Sequence, residues 1–379
     1  MNKRAHWVQI ILFLAFIGLF FLLNLFLPDR QFSEQENQYL QQLPAFSFSE
    51  LFSGKFTTKF EKYTTDQFAF RDGWITLKAR SELATGKKEN NSVYLCPTTI
   101  GPLNAMLIER FEAPEDSVIQ GNVDALNQLT ENVNVPVYFA LIPGAGEICR
   151  DVLPENAPMD SQKEVIDKAY AASKAVNVDM YGALEPHKDE YIFYGTDHHW
   201  TSRGAYYGYT ALANAMGFDA RSLSQYDVQV VSDSFYGTTY SSSGFSWVNP
   251  DRIERWVEPG EGVNITNYPE GKPVVGTLYD DSFLDKKDKY SSFLGGNTPL
   301  VQIDTGHTDK PSLLIVRDSY MDSEVPFLLE NFSRIHVLDL RYYKTSLSAY
   351  IEENEIDQVL VCYSVYNFST DINIFLLGY

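Results

Sequence analysis

Cysteine is nearly missing from this chain: Cys96, Cys149 and Cys362 are the only three in 379 residues. Their odd number and wide spacing, with no C-x-x-C pair, exclude a disulfide framework and a cysteine-built zinc site, and allow at most one bridge within a chain. Basic residues are also scarce. Thirty Lys and Arg stand against fifty Asp and Glu, a net charge of −20. A field of that sign repels phosphate backbones and argues against nucleic acid as a partner. Internal repeats and extended low-complexity tracts are absent, and after the first thirty or so residues there is no second long apolar run. What is plentiful is core material. Hydrophobic residues make up 44% and aromatic residues 14%, too much apolar surface for a disordered chain. The length exceeds one ordinary domain of ~100 to 200 residues, so two or three units are possible.

The one long apolar run sets the compartment. From Trp7 to Leu27 only Gln9 and Asn24 are polar, and at ~1.5 Å per residue this crosses a ~30 Å hydrocarbon layer. Pro28, Asp29, Arg30 and Gln31 follow it in place of a small-residue cleavage site, so an uncleaved anchor is expected rather than a signal peptide. Lys3 and Arg4 precede it, which puts the N-terminus in the cytoplasm and the rest of the chain outside, in a single-pass protein of the cell membrane. The expected divisions are residues 1–30 as cytoplasmic terminus and transmembrane helix, 31–90 as a helical connecting segment, and 91–379 as the body.

In the body, short β-branched runs alternate with helical stretches. Val135–Ile142, Ile192–Thr196, Pro299–Thr305, Ser312–Ser319, Arg334–Leu340 and Gln358–Ser364 read as strands. A capping box at Ser161-x-x-Glu164 opens one helix, and another runs from Ser202 to a stop at Gly217. Such alternation predicts an α/β fold, a parallel sheet flanked by helices on both faces. Residues 233–260, rich in Gly, Ser and Pro, break the rhythm and predict an inserted hairpin or loop.

Chemistry gathers in two strings. Thr196-Asp197-His198-His199-Trp200-Thr201 sits where a strand gives way to a helix and holds two of the six histidines. A carboxylate two residues before an imidazole can accept its Nδ1 hydrogen and leave Nε2 free as a base, which favours Asp197 with His199. The second string, Leu313 to Tyr320, is an apolar run that stops at Ser319 before a helical stretch expected over Met321–Asn331. In an open α/β sheet the reactive edge lies outside the carboxyl ends of the strands, where Ser319 falls. Each feature has a plainer reading: Ser319 as a helix cap, Asp197 and His199 as a brace for the turn, or Asp197, His198 and His199 as metal ligands. Together they supply the three parts of a nucleophilic triad.

The string GTDHHWTSRGAY resembles the signature of the DHHW family, which is similar to the alginate O-acetyltransferases AlgX and AlgJ of the SGNH hydrolase-like superfamily. The similarity extends from about Phe32 to the end, through YTTDQFAFRDGWITLK, KYSSFLGGNTPLVQI and LDLRYY. It implies an SGNH-like fold for 91–379 and a triad of Asp197, His199 and Ser319, with no metal and no cofactor. Arg317 stands where those enzymes have the glycine of their G-D-S block, so Arg317 and Asp318 are expected to support the site. Arg341 lies near the expected oxyanion glycine, Asn367 is the candidate for the oxyanion asparagine, and His198 adjoins them. Trp200 either packs the turn, the favoured reading, or stacks on a sugar; Tyr236, Tyr240, Phe245 and Trp247 form a candidate glycan platform. The resemblance implies an O-acyl, chiefly O-acetyl, transferase acting on a surface or exported polysaccharide, with a polytopic membrane acyltransferase as donor-side partner. The rivals are an esterase of the same fold and a non-catalytic, membrane-tethered glycan-binding or assembly protein.

Overall fold

The computed structural model describes residues 3–379. Contacts gather the chain into two compact units, one holding the chain up to Asn91 together with Tyr240–Ser246, the other Ser92–Thr239 with Trp247–Tyr379.

The first unit begins with helix α1 (Lys3–Phe26). Its stretch Arg4–Phe26, within which an 18-residue window has a mean hydropathy of 2.6, is the one helix among the described residues long and apolar enough to cross a membrane. Helices α2 (Lys55–Asp66) and α3 (Arg71–Ala84) follow. Phe68, between them, stacks on Phe20 of α1 with centroids 5.6 Å apart, and the Ala69 N–H donates to Asn24 Oδ1 at 2.7 Å, giving that polar side chain a partner. The segment expected to be helical also holds a small antiparallel pair, Phe32–Ser33 with Gln38–Tyr39.

The second unit is built on an eight-stranded sheet. In chain order its strands are β1 (Val137–Ile142), β2 (Val176–Val178), β3 (Asn264–Asn267), β4 (Val274–Val275), β5 (Leu300–Asp304), β6 (Ser312–Arg317), β7 (Arg334–Leu338) and β8 (Gln358–Ser364). They lie in the order β4-β3-β5-β7-β6-β8-β1-β2. From β7 to β2 all pairs are parallel, with Val316 opposite both Leu338 and Val361. Strands buried on both faces need apolar residues at every position, which is why VYFALI and SLLIV are unbroken runs. Alternate residues feed two cores. Tyr138, Ala140, Ile142, Leu313 and Ile315 face α6 (Ser202–Met216), whereas Phe139, Leu141, Leu314 and Val316 face α4 (Asp116–Asn132) and α5 (Gln162–Ala172). Ser161 caps α5 and Gly217, at φ 79°, ends α6, as their sequence signals predict.

Three expectations are corrected. The sheet is mixed, since β5 runs antiparallel to β7; the connection from Thr305 to Pro311 is too short for a crossover, so the chain must reverse. Ile192–Thr196 is not a strand but one arm of a turn closed by a single bridge between Phe193 and Trp200. The helix expected over Met321–Asn331 is broken into a 3-10 turn, Ser319–Ser323, and a short helix, Val325–Leu328. Pro326 has no N–H to donate to a continuous ladder. In the irregular stretch 233–260, strand Gln229–Phe235 pairs antiparallel with Asp251–Arg255, and the helix Thr238–Ser243 lies between them. Cys96, Cys149 and Cys362 are buried free thiols, and burial pushes the first two up to about 12.

Candidate functional site

Ser319 stands just past the carboxyl end of β6, where the chain leaves toward β7 on one side while β8 pairs on the other. Such a switch point opens a crevice beyond the strand ends. Asp318 fixes the turn: its Oδ1 accepts from the Tyr320 N–H at 3.1 Å, while Oδ2 accepts from Ser364 N at 2.8 Å, Ser364 Oγ at 2.6 Å and Asn367 Nδ2 at 2.8 Å. The serine is thereby tied to the end of the neighbouring strand.

The second half of the site is the turn before α6. Thr201 N–H donates to the Ile192 carbonyl and Tyr194 N–H to that of His199, folding the segment back on itself. Buried Asp251 pins it from below, accepting from Tyr191 Oη at 2.6 Å and from the N–H groups of Gly195 at 2.8 Å and Thr196 at 2.7 Å. Burial pushes the Asp251 carboxyl up to about 6 despite those donors.

The two halves meet at hydrogen-bond distance. His199 Nε2 is 2.8 Å from Ser319 Oγ, and its Nδ1 is 2.6 Å from Asp197 Oδ1. The network assigns the tautomer: Nδ1–H donates to the carboxylate and Nε2 accepts from the serine hydroxyl. Asp197 also accepts from the His199 N–H at 3.1 Å and, through Oδ2, from Thr238 N at 2.8 Å and Thr238 Oγ1 at 3.1 Å. A side chain at Gly237 would put its Cβ 2.2 Å from Asp197 Oδ2, so only glycine lets that strand end approach. The Tyr290 ring stacks on the imidazole, 3.8 Å between centroids and 9° between planes. Its hydroxyl donates to the Ser319 carbonyl at 2.9 Å.

Electrostatics separate the two titratable partners. Burial disfavours ionised Asp197, but the two histidines, the His199 hydrogen bond and the Thr238 N–H together hold it well below the usual carboxylate range. Burial, reinforced by His198, pushes His199 below its ordinary value, and the attraction of Asp197 only partly offsets this. The imidazole is thus neutral near pH 7, beside an ionised carboxylate, and able to take a proton from the serine.

The remaining predicted site residues divide between the margin of the site and the core. Arg317 is fully buried and points into the core, with Nη2 2.8 Å from Asp322 and Nη1 3.6 Å from Asp339; Nη1 also donates to Asn297 Oδ1 at 3.3 Å. Arg341 also pairs with Asp339, at 2.6 Å. The Asn367 amide donates to Asp318, so in this arrangement its hydrogen bond supports the serine turn. His198 lies against His199 with ring centroids 3.9 Å apart, and its Nδ1 meets Thr238 Oγ1 at 2.7 Å. Trp200 and Phe245 are both fully buried and offer no face to a sugar, which corrects the stacking reading for both. Trp200 Nε1 donates to the Tyr320 carbonyl at 2.9 Å, locking one half of the site to the other. Tyr236, half-buried, carries Lys287 over its ring at 5.6 Å; Tyr240 and Trp247 are half-buried, and Tyr240 and Phe245 belong to the first unit. Ligand atoms of Asp197, His198 and His199 lie within 4.8 Å of one another, the metal alternative's arrangement. Both His199 nitrogens already have protein partners, so a metal bound through that ring would have to displace Asp197 or Ser319.

Sequence reasoning missed Tyr290, Gly237, Thr238 and Asp251. None shows periodicity or spacing toward Asp197 or Ser319; only the KYSSFLGG segment around Tyr290 carried a family signal.

Residues 114–338 match the family described as DHHW protein. Among solved structures, a DHHW family protein from Eubacterium siraeum is similar to this chain at 26% identity and TM-score 0.65, over 76% of this chain and 95% of the other. Bacillus cereus PatB1 with a sulfonyl adduct is similar at 20% identity and TM-score 0.61, over 75% and 98%. Another structure of Bacillus cereus PatB1 is similar at 19% identity and TM-score 0.60, over 75% of this chain and 99% of the other. No curated protein matches the chain.

Proposed function

This chain belongs to the DHHW family, and we propose that it is a membrane-anchored O-acyltransferase, chiefly an O-acetyltransferase, that modifies a polysaccharide outside the cell through Ser319, His199 and Asp197. The observation that carries this reading is the unbroken line of contacts from Ser319 Oγ through His199, at 2.8 and 2.6 Å, to Asp197. In the first half-reaction His199 Nε2 takes the serine proton as Oγ attacks the acyl carbonyl of the donor. The tetrahedral oxyanion collapses, the C–O or C–S bond to the donor breaks, and the imidazolium returns the proton to that leaving group. In the second half, Nε2 takes the proton of a sugar hydroxyl, whose oxygen attacks the acyl-serine, and the proton goes back to Ser319. Asp197 keeps the tautomer and stabilises the imidazolium in both halves.

An extracellular site has no access to cytoplasmic acyl-coenzyme A, so a polytopic membrane acyltransferase is the donor-side partner in this reading. Helix α1, apolar over Arg4–Phe26, is the anchor. Water in place of the sugar would make the same residues an esterase. The test is turnover of a small acetyl ester by the wild type and Ser319→Ala, with and without added oligosaccharide. Loss of turnover in the variant, with stimulation by sugar in the wild type, is the expected result. Equal rates for the two proteins would refute the enzyme. A sulfonyl fluoride should label Ser319, as PatB1 carries a sulfonyl adduct, and the mass shift should vanish in Ser319→Ala.

A further inference from the structure

Beside the His199–Ser319 pair lies a cavity of about 330 Å³, at the small end of the ~300–1,000 Å³ range of ligand pockets. Its walls include His198 and Tyr320, the chain neighbours of the two reacting residues. Asp197, whose carboxylate holds His199, is also in the wall, so the cavity adjoins the three residues at that end.

The lining specifies the occupant. Tyr366 contributes a ring that is 52% exposed, a flat apolar face of the kind that packs against the C–H side of a sugar ring. Glu109, Gln162 and the threonines 238 and 239 supply polar groups of the kind that fix a ligand's orientation. The charge balance is one-sided. Glu109 and Asp197 both line the cavity, and the guanidinium in its wall, Arg110, is paired with Glu112. Partial burial pushes the Glu109 carboxyl up, His198 opposing this and Asp197 adding to it. A carboxylate on the ligand would face ionised Asp197, a Glu109 carboxyl that burial inclines toward its neutral form, and a guanidinium already engaged by Glu112, so it meets repulsion from Asp197 and little counter-charge. Sugar hydroxyls would find acceptors.

We propose that this cavity is the acceptor subsite and that it takes an uncharged pyranose, a neutral hexose or an N-acylated hexosamine, in preference to a uronic acid. The word acceptor rests on the transfer reaction above; the binding of the ring does not.

The experiment uses the full chain in detergent micelles, carrying Ser319→Ala to stop turnover, titrated by calorimetry with cellotetraose, chitotetraose and tetragalacturonate. Either neutral tetrasaccharide should bind at least tenfold more tightly than the uronate. Adding Tyr366→Ala should weaken neutral binding at least tenfold, and adding Glu109→Arg should raise uronate affinity relative to neutral. Both residues reach solvent, so neither change opens a core, and melting temperatures measured alongside check this. Uronate binding as tight as neutral, no neutral binding, or neutral binding indifferent to both changes would each overturn the proposal. Acetyl-ester turnover, compared between wild type and Ser319→Ala alone, reports on the triad independently. A failed subsite leaves turnover intact, and a failed triad leaves binding intact.

Discussion

Tyr290 lies flat on His199, its ring 3.8 Å from the imidazole and within 9° of parallel, while its hydroxyl reaches the backbone of Ser319. One side chain thus holds the base and the serine turn in register. The face of an aromatic ring attracts a cation, so the stack favours protonated His199, the form the proposed mechanism passes through, by ~0.5–2 kcal/mol.

Tyr290→Leu should therefore lower ester turnover about 2- to 30-fold, and Tyr290→Phe, which keeps the ring, by less. The distinguishing readout is the pH profile. Losing the ring destabilises protonated His199, so the acid limb of the Leu variant should move to lower pH, whereas a merely loosened fold would not shift it.

Removing the triad should be far costlier and should not add up. Ser319→Ala or His199→Ala should lower turnover by several orders of magnitude, and the double variant by no more than the worse single. Asp197→Asn, with the tautomer lost, should cost about 10⁴-fold. Steady-state kinetics on an acetyl ester measure all four.

The wild-type pH dependence follows from the direction of the His199 shift. Burial lowers its pKa below the ordinary 6.5, and the base must be neutral to accept the serine proton. Activity should therefore be level above about pH 7 and fall only on an acid limb whose midpoint lies under 6.5. A midpoint above 7 would contradict this.

Gly237→Ala should inactivate without unfolding. The added carbon would sit 2.2 Å from Asp197 Oδ2 and 2.3 Å from its Cβ, so the carboxylate must move. A displacement of the order of 1 Å at such a site costs about 10²-fold. Turnover and circular dichroism, measured together, separate this from global damage.

Arg317→Leu should destabilise instead. It strips the counter-charge from buried Asp322, while Asp339 keeps Arg341, and breaking a buried pair costs about 3–5 kcal/mol. Burial already raises Asp322 to about 7. Protonation below that value neutralises the stranded carboxylate, so the loss of melting temperature should be larger at pH 8 than at pH 5.

The parts of the site readable in sequence were those encoded locally. Asp197 and His199 sit two residues apart in one turn, and Ser319 ends an apolar run that could only be an inner strand. Tyr290 and Gly237 act through positions folding brings near; the family resemblance covers the segment of Tyr290 without marking a role for it, and nothing in the segment of Gly237 marks that residue. Ile192–Thr196 misleads because its β-branched and aromatic residues are buried in the core with a single bridge to Trp200 rather than paired in the sheet. Arg317 is expected to support the site because it stands where the resembling enzymes have a glycine before the serine. As the last residue of an inner strand, with Val316 already facing one core, its side chain enters the protein, where two aspartates receive it. Phe245 and Trp200 illustrate the ambiguity of aromatic residues, which serve cores and glycans with the same surface.

The three unpaired sulfhydryls, shut away from solvent and hard to ionise, bear on how this protein matures. A body that owes none of its shape to a cross-link needs no thiol oxidase to finish it. It should assemble equally well in a reducing cytosol and be indifferent to dithiothreitol.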